Sequence, residues 1–382
     1  MKKVAAVIVI IIIVVASAEL LTSGSSLGYA PDDLVAPEIV YAEPVNVSVP
    51  SSTPASGQRL NVELRWSVTE DIYAGSGGAL WLNVTNMQPG QVYIYGFGLE
   101  WDDGTYTRRN CSVYVSPGET SPLGLLVFDA PDDPGTHNYH VTVKVAAAES
   151  EFRPPLDWKE RWIDHGEVNT PSKVAKVLAP FDENDPEVTP NIPRYYGRIN
   201  SLVSYEVGEA IADDVRAERP GEYNILQVAE AFEWIRGNIE YLEEEQGEDY
   251  WQSAQETMDQ ETGDCEDHAI LMASAIGALG GNARVNIIQG HAFPTVFVGT
   301  TEQQMDQAEE AIASYYGLPR LNVAYLIDDM GYWLVVDTTG FPYAGGIPAK
   351  SGLTADGDWS MDSSFLYSID ATGETRVSLF DR

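Results

Sequence analysis

The stretch Thr262-Gly263-Asp264-Cys265-Glu266-Asp267-His268-Ala269-Ile270-Leu271-Met272 decides how the second half of this 382-residue chain is read. Gly263 supplies a tight approach, and Asp264 suits a helix N-cap. Apolar helical spacing starts at Ala269, so Cys265 is expected in the first turn of a buried helix ending at Gly280-Gly281. The partial positive charge of a helix N-terminus favours thiolate over thiol, and the amides there can stabilise an oxyanion. Glu266 and Asp267 suit the helix dipole but oppose thiolate formation. An imidazolium is the usual way to supply the missing positive charge.

Downstream, Arg284 to Ile288 reads as a strand, and a second strand opens at His291 in Gly290-His291-Ala292-Phe293-Pro294. Pro294 removes a ladder N–H, which predicts an edge or a bulge. Tyr332 to Thr339 is a buried strand ending at Asp337. A nucleophile on a helix, with base and orienting acid on neighbouring strands, is what a Cys-His-Asp triad needs. A lone buried Cys is more often a small hydrophobe, so the weight rests on all three residues together. Cys265-x-x-His268 could be a metal pair, but zinc needs further Cys or His ligands. His268 therefore reads as a helix-surface or hydrogen-bonded residue, and no metal is assigned.

Upstream, Ile199, Leu202, Val203, Val207, Ala210, Ile211 and Val215 form one helical stripe, and Val228, Phe232, Ile235, Ile239 and Leu242 another. Both are core faces. Residues 301 to 318 carry a further helical register, placed to line or cover a cleft.

The Cys, His and Asp segments resemble the transglutaminase-like cysteine-protease superfamily, which is papain-like in architecture. Cys265 and His291 lie 26 residues apart, and His291 and Asp337 lie 46 apart, in the family's order. Ala283-Arg284-Val285 resembles the family's step after the helix, while Phe293 stands where Trp is frequent. The likeness spans roughly residues 195 to 345. It implies Cys265 as nucleophile, His291 as general base then acid, and Asp337 as the residue holding the imidazole. Trp251 and Gln252 are the candidates for an oxyanion donor. The implied substrate is an amide bond of a protein or peptide, cell-envelope proteins included. Water resolving the thioester gives a hydrolase, and an amine gives an acyltransferase. A catalytically inactive surface binding or scaffold protein on the same fold is the alternative.

Residues 59 to 148 have a different period. Leu60, Val62, Leu64, Trp66 and Val68 alternate with polar residues, and similar stretches recur up to Val145 between Gly- and Pro-rich turns. This predicts an all-β sandwich resembling immunoglobulin-like modules, a spacer or carbohydrate-binding unit without chemistry. His137 and His140 on one strand point to opposite faces, a poor metal pair. The fold class expected is therefore multidomain: a β-sandwich followed by an α+β transglutaminase-like domain.

Lys2 and Lys3, an apolar run from Val4 to Val15 and Ala16-Ser17-Ala18 form a signal peptide or uncleaved anchor over residues 1–18. Export to the cell surface or medium follows, with membrane contact only through that segment if it is uncleaved. Residues 19–58 read as a flexible linker, 149–193 as a Pro-rich connector, 194–345 as the transglutaminase-like domain and 346–382 as a C-terminal extension. The net charge of −36 repels phosphate backbones and argues against nucleic acid. An acidic surface can hold Ca²⁺, but the densest run, Asp182 to Asp185, lacks the spaced ligands and turn Gly of an EF-hand. No cofactor is assigned. The only two cysteines, Cys111 and Cys265, lie in different predicted domains and read as separate thiols.

Overall fold

In the computed structural model, residues 27–153, 157–182, 184–243 and 250–374 are described. The predicted signal or anchor over 1–18, the first part of the linker, Glu183 and most of the acidic loop after Glu243 lie outside them. No helix among the described residues is long and apolar enough to cross a membrane.

The first half is rich in sheet. Its strands are β1 Ser52–Pro54, β2 Val62–Val68, β3 Ile72–Tyr73, β4 Gly78–Asn86, β5 Val92–Trp101, β6 Tyr106–Val115, β7 Thr120–Phe128, β8 Gly135–Arg153, β9 Asp157–Asn169 and β10 Lys173–Leu178. β2, β4 and β7 form a three-stranded antiparallel sheet, and the others form a seven-stranded one. Alternation explains the packing: Leu80, Leu82 and Val84 of β4 meet Ile94, Phe97 and Leu99 of β5 and Val141 and Val143 of β8 in one core. Strand pairing continues past residue 148. β9 pairs with β8 from Thr142↔Asn169 onward, and β10 pairs with β8 on the same sheet. Of the prolines expected to mark a connector, Pro171 stands in the turn between β9 and β10 and Pro180 just after β10 ends, positions where no ladder N–H is required. His137 Nε2 lies 2.8 Å from the Asp133 carbonyl and His140 Nε2 lies 3.1 Å from Glu100, so the two imidazoles have separate partners.

The second half holds α1 Pro193–Leu202, α2 Tyr205–Glu218, α3 Ile225–Asn238, α4 Ala254–Gln260, α5 Cys265–Leu279 and α6 Glu302–Tyr315. Its strands are β11 Val188–Pro190, β12 Glu240–Tyr241, β13 Thr262–Gly263, β14 Ala283–Ile288, β15 His291–Gly299, β16 Tyr325–Asp328, β17 Gly331–Val335, β18 Ser351–Leu353, β19 Trp359–Met361 and β20 Leu366–Asp370. Six of these make one sheet in the order β11-β20-β14-β15-β17-β16. α5 packs on β14 and β15 and is covered by α2 and α3. Its apolar run makes it a core helix: Ala269 to Ala273 are all buried.

β15 is an interior strand rather than the edge expected from Pro294. The Pro294 carbonyl accepts from Val336 N at 3.0 Å, so its nitrogen faces the same side, just where β17 has ended at Val335. No ladder donor is lost. A bulge does occur in β15, further on, between Phe297 and Gly299.

Two segments without periodicity are tied into this unit. Residues 346–374, read as an extension, supply β20, which sits between β11 and β14. Arg284 on β14, buried under the Trp333 ring at 3.5 Å, pairs with Asp370 of β20 at 2.6 Å and Asp328 of β16 at 2.5 Å. Residues 27–51, read as part of a spacer, run along the surface on isolated bonds before β1 joins the seven-stranded sheet beside β9. The Tyr29 hydroxyl donates to the Ala371 carbonyl at 2.6 Å, Val35 N to Asn282 at 2.7 Å and Ala42 N to Ser314 at 2.9 Å. Isolated bonds leave no repeating face, so no sequence period announces them.

Candidate active site

The N-terminus of α5 is built by a buried carboxylate. Asp267 accepts from Asp264 N at 3.3 Å and from Gln252 N at 2.7 Å, which locks the loop before α4 to the turn carrying Cys265. A Cβ at Gly263 would come within 2.7 Å of the Asp267 side chain, so the close approach requires glycine there. Asp267 was read from sequence only as a dipole partner; its double backbone contact has no sequence signal beyond its place at the third helical position.

β15 brings His291 to the same end of the sheet. Its Nε2 lies 2.7 Å from Asp337 Oδ2, with both side chains buried. Asp337 also accepts from Thr339 N and Oγ1 at 2.9 and 2.8 Å, and from Ala349 N at 3.0 Å. Burial alone would raise this carboxyl, but the adjacent imidazole and the two backbone N–H groups hold it below the usual carboxylate range. The Phe293 ring stacks alongside His291 at 6.1 Å and 15°.

Cys265 and His291 line one cleft of about 720 Å³, with Trp251, Asp264, Glu266, Tyr241, Ile287 and Ala292 among its other walls. The thiol donates to Glu266 Oε2 at 3.1 Å. Burial, then the Glu266 charge and this hydrogen bond, push the thiol up, while the Ala292 N–H beside the sulfur pulls it down. Among the described residues no hydrogen bond joins the thiol to His291. The thiol as placed is protonated and held on its neighbouring carboxylate.

Trp251 lines the cleft; Gln252 does not. The Gln252 backbone N–H is spent on Asp267, and its side-chain amide reaches the Thr262 carbonyl at 3.4 Å. The N–H that faces the sulfur belongs to Ala292, one residue after His291. No residue of α6 is among those lining the cleft. That helix is instead fastened to α3, with Tyr315 donating to Glu230 at 3.0 Å and the following Tyr316 to Glu233 at 2.8 Å.

His268, one turn after Cys265, is buried with Nδ1 2.8 Å from Thr338 Oγ1. Burial lowers it to about 4, against the pull of Asp337 and the Glu240 carbonyl, so it is neutral near pH 7. It clamps α5 to the residue after Asp337. Asp264, Cys265 and Glu266 bring their ligand atoms within 4.8 Å of one another, and no ion is assigned to them. Both cysteines are free thiols.

Residues 209–317 match the family model of the transglutaminase-like superfamily. The chain therefore contains a transglutaminase-like domain, and the matched span includes Cys265 and His291 but stops before Asp337. Among solved structures, a candidate cysteine protease from Cytophaga hutchinsonii is 13% identical, with 62% of this chain and 73% of that one covered and a TM-score of 0.22. A candidate protease from Parabacteroides distasonis is 10% identical, with 62% and 65% covered and a TM-score of 0.23. An Archaeoglobus fulgidus protein is 14% identical over 29% of this chain and 96% of its own, with a TM-score of 0.15. No curated protein matches the chain.

Proposed function

We propose that this protein is an extracytoplasmic cysteine hydrolase or acyltransferase acting on amide bonds of proteins or peptides, with Cys265 as nucleophile. The observation that carries this reading is the buried His291–Asp337 pair at 2.7 Å, opening on the same cleft as a cysteine in the first turn of a core helix. Asp337 holds Nε2, which leaves Nδ1 as the ring nitrogen that can take the thiol proton. The sulfur must first leave Glu266, a rotation about one side-chain bond. Thiolate attack on the carbonyl then forms a thioester. The leaving amine takes its proton from His291, and water or a second amine attacks the thioester with His291 again accepting the proton. The Ala292 N–H beside the sulfur is a better-placed oxyanion donor than Gln252, and Trp251 shapes the wall. We further propose that the sheet-rich half is an immunoglobulin-like module that presents this domain at the cell surface.

A second reading is an inactive binding protein on the same fold, and the raised thiol favours it. Incubating the protein with a peptide amide pool, with and without a primary amine, and weighing intact protein and products tests the proposal. The expected result is a Cys265-linked acyl adduct with hydrolysed or amine-exchanged product. Neither adduct nor product over any peptide set would leave the binding reading standing.

A further inference from the structure

We infer that a second cavity, between the two halves of the chain, is a binding site for a free α-amino acid with an apolar side chain; the inference does not depend on Cys265 being a nucleophile.

This cavity holds about 650 Å³, within the range of small-molecule sites, and shares no lining residue with the cleft of Cys265. β2 and β4 of the sheet-rich half contribute Val68, Ala79 and Trp81, while α3 and the chain after β17 contribute Arg236, Phe341 and Ile347. Three of its lining side chains carry a polar atom that is shielded from solvent and meets no hydrogen-bond partner among the described residues: Trp81 Nε1, Arg236 Nε and Ser351 Oγ. The Arg236 guanidinium lies over the Trp81 ring at 4.7 Å and gives Nη2 to Glu233 at 3.0 Å, which leaves Nε unused.

Unmet buried donors cost stability, and a cluster of them on one cavity calls for an acceptor from outside the chain. An indole N–H and a guanidinium N–H can only donate, and a serine hydroxyl can donate as well. Being shielded, they gain an acceptor from a ligand that seats closely against the wall, with a small side-chain turn as it enters. Lys350, exposed and on the same lining, makes a carboxylate the better acceptor. Glu70, Asp71 and Asp362, also exposed, line the cavity too and call for a positive group. They do not gather around an ion: among the described residues the one group of three ligands close enough for a metal is Asp264, Cys265 and Glu266, in the other cleft. A bare cation would leave the buried donors unmet, and a bare anion would be repelled by the net charge of −36. A zwitterion answers both sets of charges and carries no net charge to be repelled. The apolar walls, with Phe181 and Phe341 among them, then take its side chain.

The test is calorimetric titration of the whole protein with L-leucine and L-phenylalanine, and then with the N-acetyl acid and the amide of whichever binds tighter. Saturable binding of the free amino acid is expected, weakened about tenfold by capping either end, the loss of one charge-assisted contact. Thr339 and Ala349 line the cavity as well, but their N–H groups hold Asp337, so the variants leave them untouched. Trp81→Phe keeps a ring and deletes an N–H that has no partner, and Lys350→Gln alters an exposed side chain. Each is expected to weaken binding about tenfold with the urea midpoint unchanged. No saturable binding of either amino acid overturns the inference. So does an acetylated acid or an amide that binds as tightly as the free amino acid, and so does undiminished affinity in Lys350→Gln, whatever Trp81→Phe does to folding.

Discussion

The molecule contains two thiols, Cys111 buried and Cys265 half-buried, and they are pushed up for different reasons. Cys111 sits in the β-sheet core with its sulfur donating to the Ile94 carbonyl at 3.5 Å, and burial pushes it up to about 12. Cys265 is also pushed up, but a carboxylate takes part in that, an opposing N–H lies beside it, and it opens on a cleft that His291 shares. The comparison teaches that burial alone makes a thiol inert. A base on the walls of the same cleft is what separates a packing residue from a candidate nucleophile.

The largest test removes that difference. Asp337→Asn leaves His291 in place with its partner changed, and labelling of Cys265 by peptidyl electrophiles is expected to fall on the order of 10³-fold. Cys111 is expected to stay unlabelled in the folded protein, as measured by peptide mapping, and to react only once denaturant opens the sheet core. Labelling of Cys111 at a rate like that of Cys265 would erase the distinction.

A second test strikes the frame that holds the cleft. Arg284→Met leaves Asp370 and Asp328 without their shared cation, and urea unfolding is expected to show a loss of about 3–5 kcal/mol. Denaturation of the second half before the sheet-rich half would show that the two regions are separately stable.

Acid should act on the two regions unequally. His268 is neutral in the fold at about 4 but binds a proton in the unfolded chain below its ordinary 6.5. Between those values the unfolded state holds more protons, so stability falls as pH drops through that window, by up to about 3 kcal/mol. Asp337, held low, extends the loss in the same direction at still lower pH. Chemical unfolding from pH 7 to 4 in the wild type and in His268→Gln measures the slope, which should be shallower in the variant. The smallest effect is at Glu266. Glu266→Gln takes away the charge that raises the thiol, and alkylation of Cys265 at fixed pH is expected to rise on the order of tenfold.

Much of this was readable beforehand, and for one reason: regular periods carry information. The alternation from Leu60 to Val145 placed the strands of the first half, and the spacing from Ala269 placed the helix behind Cys265. His291 and Asp337 were reachable because each sits at the end of an apolar strand. The rest lacked a period. β9 and β10 were hidden among prolines that mark turns, and β20 is five residues whose partner is 80 or more positions away. The bonds of Tyr29 and Val35 are single events. Asp267, Thr338 and Ala292 act through backbone or one-to-one contacts that only the folded chain brings together.

The central claim is that His291 makes Cys265 a nucleophile. Its most direct test is the rate of iodoacetamide alkylation of Cys265 against pH, in wild type and His291→Ala, with Cys111 as internal reference. The account predicts measurable alkylation at neutral pH in the wild type that disappears in His291→Ala, which should react only in alkaline solution. One shared alkaline rise in both proteins would contradict it.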